Sequence, residues 1–334
     1  RFTLFKSSSM CRKFMDLINR LSHLPGRVVS AVILICVAVS SYADDLARPL
    51  KVVEVSPGNY VHFGEFPPRT ESNMGDNSNI GFIVGDRCVA VFDTGGSPSV
   101  GKRLGATIES VTDLPICYVV LSHVHPDHIF GATSFISSQT KYIGHPNLPK
   151  QIIRRKNYYE EHLSEDLGAE EASQGIIDPS HINIVDHDMT LDLGGRTLEV
   201  RSWRASHTDH DLTAFDTLTE TMWTGDLFFC EHIPVLDSNV KSFSVTIGEL
   251  MNLRPRAFVP GHGRCKEGWD LGLQKQKKYL SVLERDAREA IKNNVSLMDA
   301  VNTVGWSERS KWANFDLFHR RNVTTAYTEL EWED

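Results

Sequence analysis

A run of six residues, from His123 to His128, contains three imidazole side chains and one carboxylate in the sequence HVHPDH. It follows the apolar run 118–121, which is typical of a buried strand. Side chains two positions apart in an extended segment project to the same side, so His123 and His125 can converge on one ion. Asp127 and His128 lie at the predicted turn into a helix, where they face neighbouring space. The spacing therefore predicts two metal ions held side by side.

Three later segments each place a further metal-capable side chain after a short apolar run. His207 lies in SHTDHD and offers a third imidazole for the first ion. Asp226 follows the strand-like residues 221–223 in TGDLFF, and His262 follows residues 257–259 in PGHG. Ligands at the ends of several strands can gather at one edge of a sheet, which an α/β scaffold supplies.

These segments, with FDTGG upstream, resemble the metallo-β-lactamase superfamily in their order and approximate spacing over residues 50–265. The six-residue run is far more specific than a short glycine motif. Within that superfamily, the stretches NIGFIVGDRCVAVFDTGGS, HIPVLDSNVKSF and HRRNVTTAYTELEWED are similar to the quinoprotein relay system zinc metallohydrolases. Those are exported bacterial proteins associated with quinoprotein alcohol oxidation. The resemblance implies an α/β fold, an αββα sandwich with a C-terminal helical extension, and it brings no settled substrate.

The resemblance also assigns the seven donor side chains to two metals and one bridging position. The implied ligands are His123, His125 and His207 for the first metal, Asp127, His128 and His262 for the second, and Asp226 between them. Imidazole and carboxylate donors without a thiolate suit zinc, iron or manganese. In an oxidising periplasm we expect Zn²⁺, two ions per chain. Asp93 is expected to hold a ligand histidine in one tautomer.

The function that follows is an exported dinuclear zinc metallohydrolase, in which a metal-bound hydroxide cleaves an ester, a thioester or a lactam-like bond. Two adjacent metals lower the pKa of a shared water to near neutrality. Asp127 is the expected catalytic residue, because it can bind the second metal and also orient the attacking water. A ligand carboxylate is a poor base at its ordinary pKa, so orientation is its main expected part. The expected partners are a small-molecule substrate and a periplasmic quinoprotein dehydrogenase system.

Three other functions stay open on the sequence. A true metallo-β-lactamase would use the same fold and metals, although nothing in the sequence specifies a lactam pocket. A mononuclear iron oxygenase of the persulfide type needs only two histidines and the position of Asp226, which would leave the other donors unused. A non-catalytic metal-binding accessory protein for a quinoprotein dehydrogenase is the third. Fold alone does not decide among them.

The N-terminal part of the chain predicts a signal peptide. The 334 residues are 41% hydrophobic and 23% charged, which is typical of a soluble globular protein. Basic residues precede the apolar run 28–39, which is too short for a membrane span. The small residues around Ala43 predict cleavage after it, with Met10 or Met15 as the candidate start. An uncleaved membrane anchor is the alternative, and the expected location is periplasmic or secreted.

The charge balance argues against nucleic acid as a substrate or partner. Residues 1–43 contain six basic residues and one acidic residue, so the predicted mature chain has 29 basic and 42 acidic residues, a formal charge of −13. Affinity for a phosphate backbone depends on lysine and arginine neutralising the phosphates. A strongly acidic exported chain is unsuited to that task.

Four cysteines lie in the predicted mature chain, and four cysteines in an exported protein permit three pairings. Cys88 and Cys117 each begin a strand-like run, so their sulfurs would be close if those strands are neighbours. We favour Cys88–Cys117 with Cys230–Cys265, and buried thiols are the alternative.

The chain is expected to contain a metallo-β-lactamase-like domain at residues 44–265 and a helical extension at 266–334, packed on the core. Helices are predicted at residues 100–111 and 128–137, and a β-hairpin at 189–203. In the extension, the charge and leucine spacing predicts helices at 271–293 and 314–331.

Several residues outside these motifs have weaker predictions. The polar segment 150–173 is predicted to be an exposed helical insertion. It could overhang the site, but a solvated helix without a functional role is the favoured interpretation. His210 and His232 could line the pocket, and a hydrogen-bonded or surface role is at least as well supported for each. Lys241 is a candidate to meet a substrate carboxylate, although most lysines are solvated.

Overall fold

The computed structural model describes residues 48–333 except residues 67, 68 and 71. The predicted signal peptide at residues 1–43 lies outside the described residues. Residues Pro49–Asp334 form one compact unit. Among the helices that the structure describes, none has the length and apolar character that crossing a membrane requires.

The first sheet has seven strands that follow one another in chain order. The pairings from β1 to β4 are antiparallel, and those from β4 to β7 are parallel. Parallel neighbours end at the same edge of the sheet, so the residues after β4 and β5, Asp93 and His123, meet at that edge. The strands are β1 (Val53–Ser56), β2 (Asn59–His62), β3 (Ile80–Val84), β4 (Val89–Phe92), β5 (Ile116–Val120), β6 (Lys141–Gly144) and β7 (Ile182–Ile184).

The second sheet has five strands in the order β12-β11-β10-β9-β8. β8 and β9 are antiparallel, which confirms the predicted hairpin. β11 and β12 are parallel, so Asp226 and His262, which follow them, lie at a common edge. The strands are β8 (Asp188–Asp192), β9 (Thr197–Ser202), β10 (Leu212–Asp216), β11 (Thr221–Trp223) and β12 (Ala257–Val259).

The two sheets pack face to face around one apolar core. Ile83 and Phe92 of the first sheet and Leu198 and Trp223 of the second belong to the same buried cluster. The rings of Phe92 and Trp223 are 5.5 Å apart at their centroids. Burial of such side chains from both layers holds the sheets together.

Helices cover this pair of sheets. α1 buries Val100, Leu104 and Ile108. The helices are α1 (Pro98–Val111), α2 (Pro126–Ile129), α3 (Leu148–Leu167), α4 (Ala169–Gln174), α5 (Val240–Leu250), α6 (Trp269–Lys292), α7 (Leu297–Ala300) and α8 (Phe315–Leu330). α6 and α8 share a buried cluster with Met222 and Phe228. The fold is thus the predicted αββα sandwich with a C-terminal helical part packed on its core.

The structure differs from the prediction of one helix over residues 128–137. α2 ends at Ile129, and a short 3₁₀ helix follows over Ala132–Phe135. The break lies at Gly131, whose N–H donates to a carbonyl of the loop after β4 at 2.9 Å. A Cβ at this position would lie 2.0 Å from the carbonyl oxygen of Thr94, so the close approach of the two loops requires glycine.

Both favoured disulfides are present. Cys88, directly before β4, bonds to Cys117 in the neighbouring strand β5, and Cys230 bonds to Cys265. The sequence separations are 29 and 35 residues, so each bond closes a substantial loop. The second bond ties the segment after Asp226 to the segment after His262.

Candidate metal centre

Three ring nitrogens converge at the edge of the two sheets. His123 Nε2 lies 3.0 Å from His125 Nδ1 and 3.2 Å from His207 Nε2, and the last two nitrogens are 3.0 Å apart. His123 and His207 are buried. Asp226 Oδ2 completes the group, at 3.6 Å from His123 and 3.3 Å from His207. Three imidazoles and a carboxylate around one point are a donor set that could hold one divalent ion.

A second group lies on the other side of the same carboxylate. Asp226 Oδ1 is 3.2 Å from His128 Nε2 and 3.4 Å from His262 Nε2. Asp127 Oδ2 is 3.6 Å from His128 Nε2 and 3.4 Å from His262 Nε2. The three side chains of Asp127, His128 and His262 form a donor group of their own. The structure therefore brings all seven predicted ligands together, with Asp226 between the two groups.

The local backbone explains the orientation of Asp226. The chain leaves β11 into a 3₁₀ turn over Gly225–Leu227, in which Gly225 has a φ of 50°. The neighbouring loop approaches closely, because a Cβ at Gly261 would lie 2.0 Å from Asp226 Oδ1. Glycine at both positions lets the two strand ends meet without displacing the carboxylate.

Each ligand histidine has an acceptor for its other ring nitrogen. His207 Nδ1 donates to the Val235 carbonyl at 2.7 Å, and His262 Nδ1 lies 2.8 Å from the Asn77 carbonyl. Such partners fix the tautomer and leave the opposite nitrogen free to bind an ion.

Asp93 has the role predicted for it at two histidines. His128 Nδ1 donates to Asp93 Oδ2 at 2.7 Å. The Ser122 hydroxyl donates to the same oxygen at 2.7 Å and lies 2.9 Å from His123 Nδ1. Asp93 is fully buried, and through these hydrogen bonds it supports one histidine of each donor group.

Asp237 is a positioning residue that the sequence reasoning missed. Its Oδ2 accepts from His125 Nε2 at 3.1 Å, and its backbone N–H donates to the His207 carbonyl at 2.9 Å. Arg155 on α3 donates to Oδ2 at 2.9 Å, and Arg321 on α8 donates to Oδ1. One residue thus holds two imidazoles of the first group and connects them to two helices. No local pattern predicted this role for Asp237, because HIPVLDSNVKSF contains no other metal-binding side chain at a spacing typical of metal ligands.

Protonation and unsatisfied atoms support a cation at this place. Burial lowers the pKa of His207 to about 3 and that of His123 well below its ordinary value, which favours the neutral imidazoles that bind metals. Burial would also lower the pKa of His128, but the carboxylates of Asp226, Asp127 and Asp93 raise it well above its ordinary value. Within the described residues, His128 Nε2 and Asp226 Oδ1 are buried without a hydrogen bond. A bound divalent ion would satisfy both atoms, so the donor set fits such an ion.

A cavity of about 810 Å³ opens onto the two groups. Its floor includes His125, Asp127, Asp226 and His262. Its roof comes from α3, and one wall comes from α8. The cavity is large enough for a small organic molecule.

The placement of α3 differs from the favoured prediction of a solvated helix without a role. The predicted insertion 150–173 is α3 and α4, and Tyr159 and Leu163 of α3 are buried against the cavity. The helix turns this side inward because its apolar residues recur at helical spacing. Arg155 of the same helix also lines the cavity.

Of the three residues with weaker predictions, one lines the cavity and two do not. His232 lines the cavity and stacks on His262, with ring centroids 5.0 Å apart. His210 is buried and accepts from the Val124 N–H at 3.1 Å, so it supports the loop from behind. Lys241 is not part of the cavity formed by the described residues, and its ammonium group pairs with Glu333 at 2.8 Å. The structure thus corrects the suggestion that Lys241 meets a substrate.

Comparisons with known proteins agree with this geometry. A family model of the metallo-beta-lactamase superfamily matches residues 74–262, more than half of the chain and a range that contains all seven donors. A search of curated proteins gives no match.

Solved structures share the fold at low sequence identity. A beta-lactamase domain protein from Burkholderia ambifaria has a TM-score of 0.63 and 15% identity, over 84% of this chain and 88% of that chain. The stereoselective inverting sec-alkylsulfatase Pisa1 from Pseudomonas sp. has a TM-score of 0.61 and 16% identity, over 85% of this chain and 51% of that one, so this chain spans half the length of the sulfatase. A metallo-beta-lactamase from Pontibacter korlensis has a TM-score of 0.55 and 19% identity, over 70% and 99%. These likenesses show the fold. The family match identifies the chain as a member of the metallo-beta-lactamase superfamily, with two donor groups that could each hold a metal ion.

Proposed function

We propose that this chain is an exported dinuclear zinc hydrolase that cleaves an ester, a thioester or a lactam-like bond of a small molecule. We further propose that it belongs with the quinoprotein relay system metallohydrolases and acts beside a periplasmic quinoprotein dehydrogenase. The sequence stretches that resemble that group support this assignment. The basic and apolar pattern of residues 1–43 and the two disulfides support export to an oxidising compartment.

The observation that carries the proposal is the position of the Asp226 carboxylate. Oδ2 faces the group of His123 and His207, and Oδ1 faces the group of His128 and His262, all at 3.2–3.6 Å. A carboxylate with one oxygen toward each of two donor groups suits a pair of adjacent ions. A mononuclear site would leave the second group without a purpose.

Bound divalent ions would supply an activated water and an electrophilic centre for the substrate oxygen. Asp127 is placed to orient that water, because its side chain is a quarter exposed and lines the cavity. Its backbone is fixed from behind, since the Ser78 hydroxyl donates to the Asp127 carbonyl at 2.5 Å. The protein thus holds Oδ2 of Asp127 toward His128 and His262, at the lining of the cavity.

Aromatic and apolar side chains form part of the cavity lining. Phe66 and Phe318 flank His232, with ring centroids 6.3 and 5.1 Å from it. Tyr159 and Leu163 close the roof. A drier site strengthens every electrostatic interaction with the substrate.

Metal content tests the proposal directly. We would express the protein from its full sequence, measure zinc, iron and manganese by mass spectrometry, and compare Asp226→Ala with the exposed control Asp192→Ala. The expected result is two zinc ions per chain in the wild type and in the control, with a clear loss in Asp226→Ala. Hydrolysis of aryl esters and thioesters should disappear on chelation and return with zinc.

Other outcomes would overturn parts of the proposal. One iron ion per chain with oxygen uptake would favour an oxygenase. Efficient hydrolysis of a chromogenic cephalosporin would favour a true β-lactamase. Two zinc ions with no turnover of any ester, thioester or lactam would favour a non-catalytic accessory protein.

A further inference from the structure

Two arginines from different helices meet beside the first donor group. Arg155 lies on α3 and Arg321 lies on α8, and both line the cavity. Each donates to a different oxygen of Asp237, which in turn accepts from His125. The two guanidinium groups are therefore held in place at the border of the cavity.

Their charge is only partly compensated. Two guanidinium groups share the single carboxylate of Asp237, so the cluster has an excess positive charge. A guanidinium group has five N–H donors. Arg155 donates to Asp237 Oδ2, and Arg321, whose side chain is half exposed, donates to Asp237 Oδ1. Donors thus stay available toward the cavity.

The third arginine of the cavity is different. Arg69 bonds one oxygen of Asp166 through Nε at 3.0 Å and through its terminal nitrogen at 2.7 Å, so this pair is electrically balanced. The remaining acidic wall residues, Glu65 and Glu165, are exposed at the rim. The excess positive charge therefore lies beside Asp237.

Another part of the cavity lining is aromatic. His232 stacks on His262 at 5.0 Å, and Phe66 and Phe318 pack around it. A substrate that spans the two donor groups would meet arginine at the end near His125 and aromatic rings at the end near His262.

We propose that Arg155 and Arg321 form a carboxylate-binding subsite, so that the preferred substrate carries an anionic group on one side of the scissile bond and an apolar or aromatic group on the other. This inference rests on the proposed hydrolase function. The two planar guanidinium groups can bind a carboxylate through paired N–H donors, as arginine does at such sites. Lys241 is not among the described residues that line this cavity, whereas both arginines are.

The test compares two matched esters, para-acetoxybenzoate and the neutral para-acetoxybenzamide, on the zinc-loaded protein. The variants are Arg321→Gln and the control Arg320→Gln, which removes the same charge from the next position of α8, where Arg320 bonds Asn302 outside the cavity. Each variant is compared with the wild type on the same ester, so the intrinsic reactivity of the esters cancels. Charged hydrogen bonds are worth about tenfold to a hundredfold in binding.

We expect Arg321→Gln to lower kcat/KM for the anionic ester, para-acetoxybenzoate, at least about tenfold more than for the neutral ester, para-acetoxybenzamide. The loss should arise mainly from a higher KM. Arg320→Gln should match the wild type on both esters. Arg321→Lys should recover part of the loss because it restores the charge. Equal losses on the two esters, or no loss on either, would overturn the subsite while leaving the hydrolase intact.

A binding measurement separates the subsite from the proposed function. Calorimetric titration with para-hydroxybenzoate and para-hydroxybenzamide needs no turnover. If the wild type hydrolyses neither ester but binds the carboxylate in an Arg321-dependent manner, the hydrolase proposal fails and the subsite stands. If the carboxylate and the amide bind equally well to wild type and Arg321→Gln, the subsite is wrong.

Discussion

The replacement Asp237→Asn tests how the first donor group is held. The change keeps the shape of the side chain and removes its charge. Oδ2 now accepts from His125 and Arg155, and Oδ1 accepts from Arg321. An amide has one acceptor oxygen, so its NH₂ group would face at least one of these donors in either orientation.

Two consequences follow from this loss. The partner of a ligand histidine commonly contributes about 10- to 100-fold to metal affinity, so the ion at His125 should bind more weakly by that factor. An ion bound by His128 and His262 should keep its affinity, because the contacts of Asp237 are to His125 and His207. Stability should fall by about 2 kcal/mol, since charged hydrogen bonds are worth 1.5–3 kcal/mol and the half-exposed Arg321 discounts that value.

The assay is competition for zinc with a chromogenic chelator, with urea unfolding of the same preparations. Asp316→Asn is the matched control, because Asp316 lies on α8 and its carboxylate forms an exposed pair with Arg309. We expect Asp237→Asn to show one tight and one weakened zinc site, and Asp316→Asn to show two tight sites. Two tight sites in Asp237→Asn would refute the reasoning, and so would equal weakening of both sites.

Two further predictions concern other parts of the fold. Gly261→Ala should weaken zinc binding at least about tenfold, because its Cβ would lie 2.0 Å from Asp226 Oδ1. The control Gly248→Ala should bind zinc normally, because its Cβ would lie 3.9 Å from the nearest neighbouring atom. Normal zinc binding by Gly261→Ala, measured with the same chelator, would contradict this prediction. Replacing Cys88 and Cys117 together by alanine should destabilise the protein by about 3–4 kcal/mol for a 29-residue separation, measured by urea unfolding. A loss below about 1 kcal/mol would mean that this bond does not constrain the unfolded chain.

Much of the site could be predicted because its donors follow strands directly. His123, Asp226 and His262 each come within a few residues of a strand end, and parallel pairing brings such ends to one edge. The hairpin at β8 and β9 was equally clear, because alternating strands flanked a glycine pair. The helix at 128–137 was misjudged because apolar spacing cannot reveal that Gly131 must pack against another loop.

The sequence by itself indicated the superfamily through short motifs of residue type and spacing, and the predicted αββα layers and the assignment of the seven donors followed from that resemblance. Only the tertiary structure decided the surroundings of the metals. Arg155 and Arg321 reach Asp237 across 82 and 84 positions of the chain. α3 covers the cavity because its buried face is turned toward it. Such contacts leave no periodic signal in the sequence. The spacing of apolar residues shows that a helix is amphipathic, but it does not show which part of the fold the helix packs against.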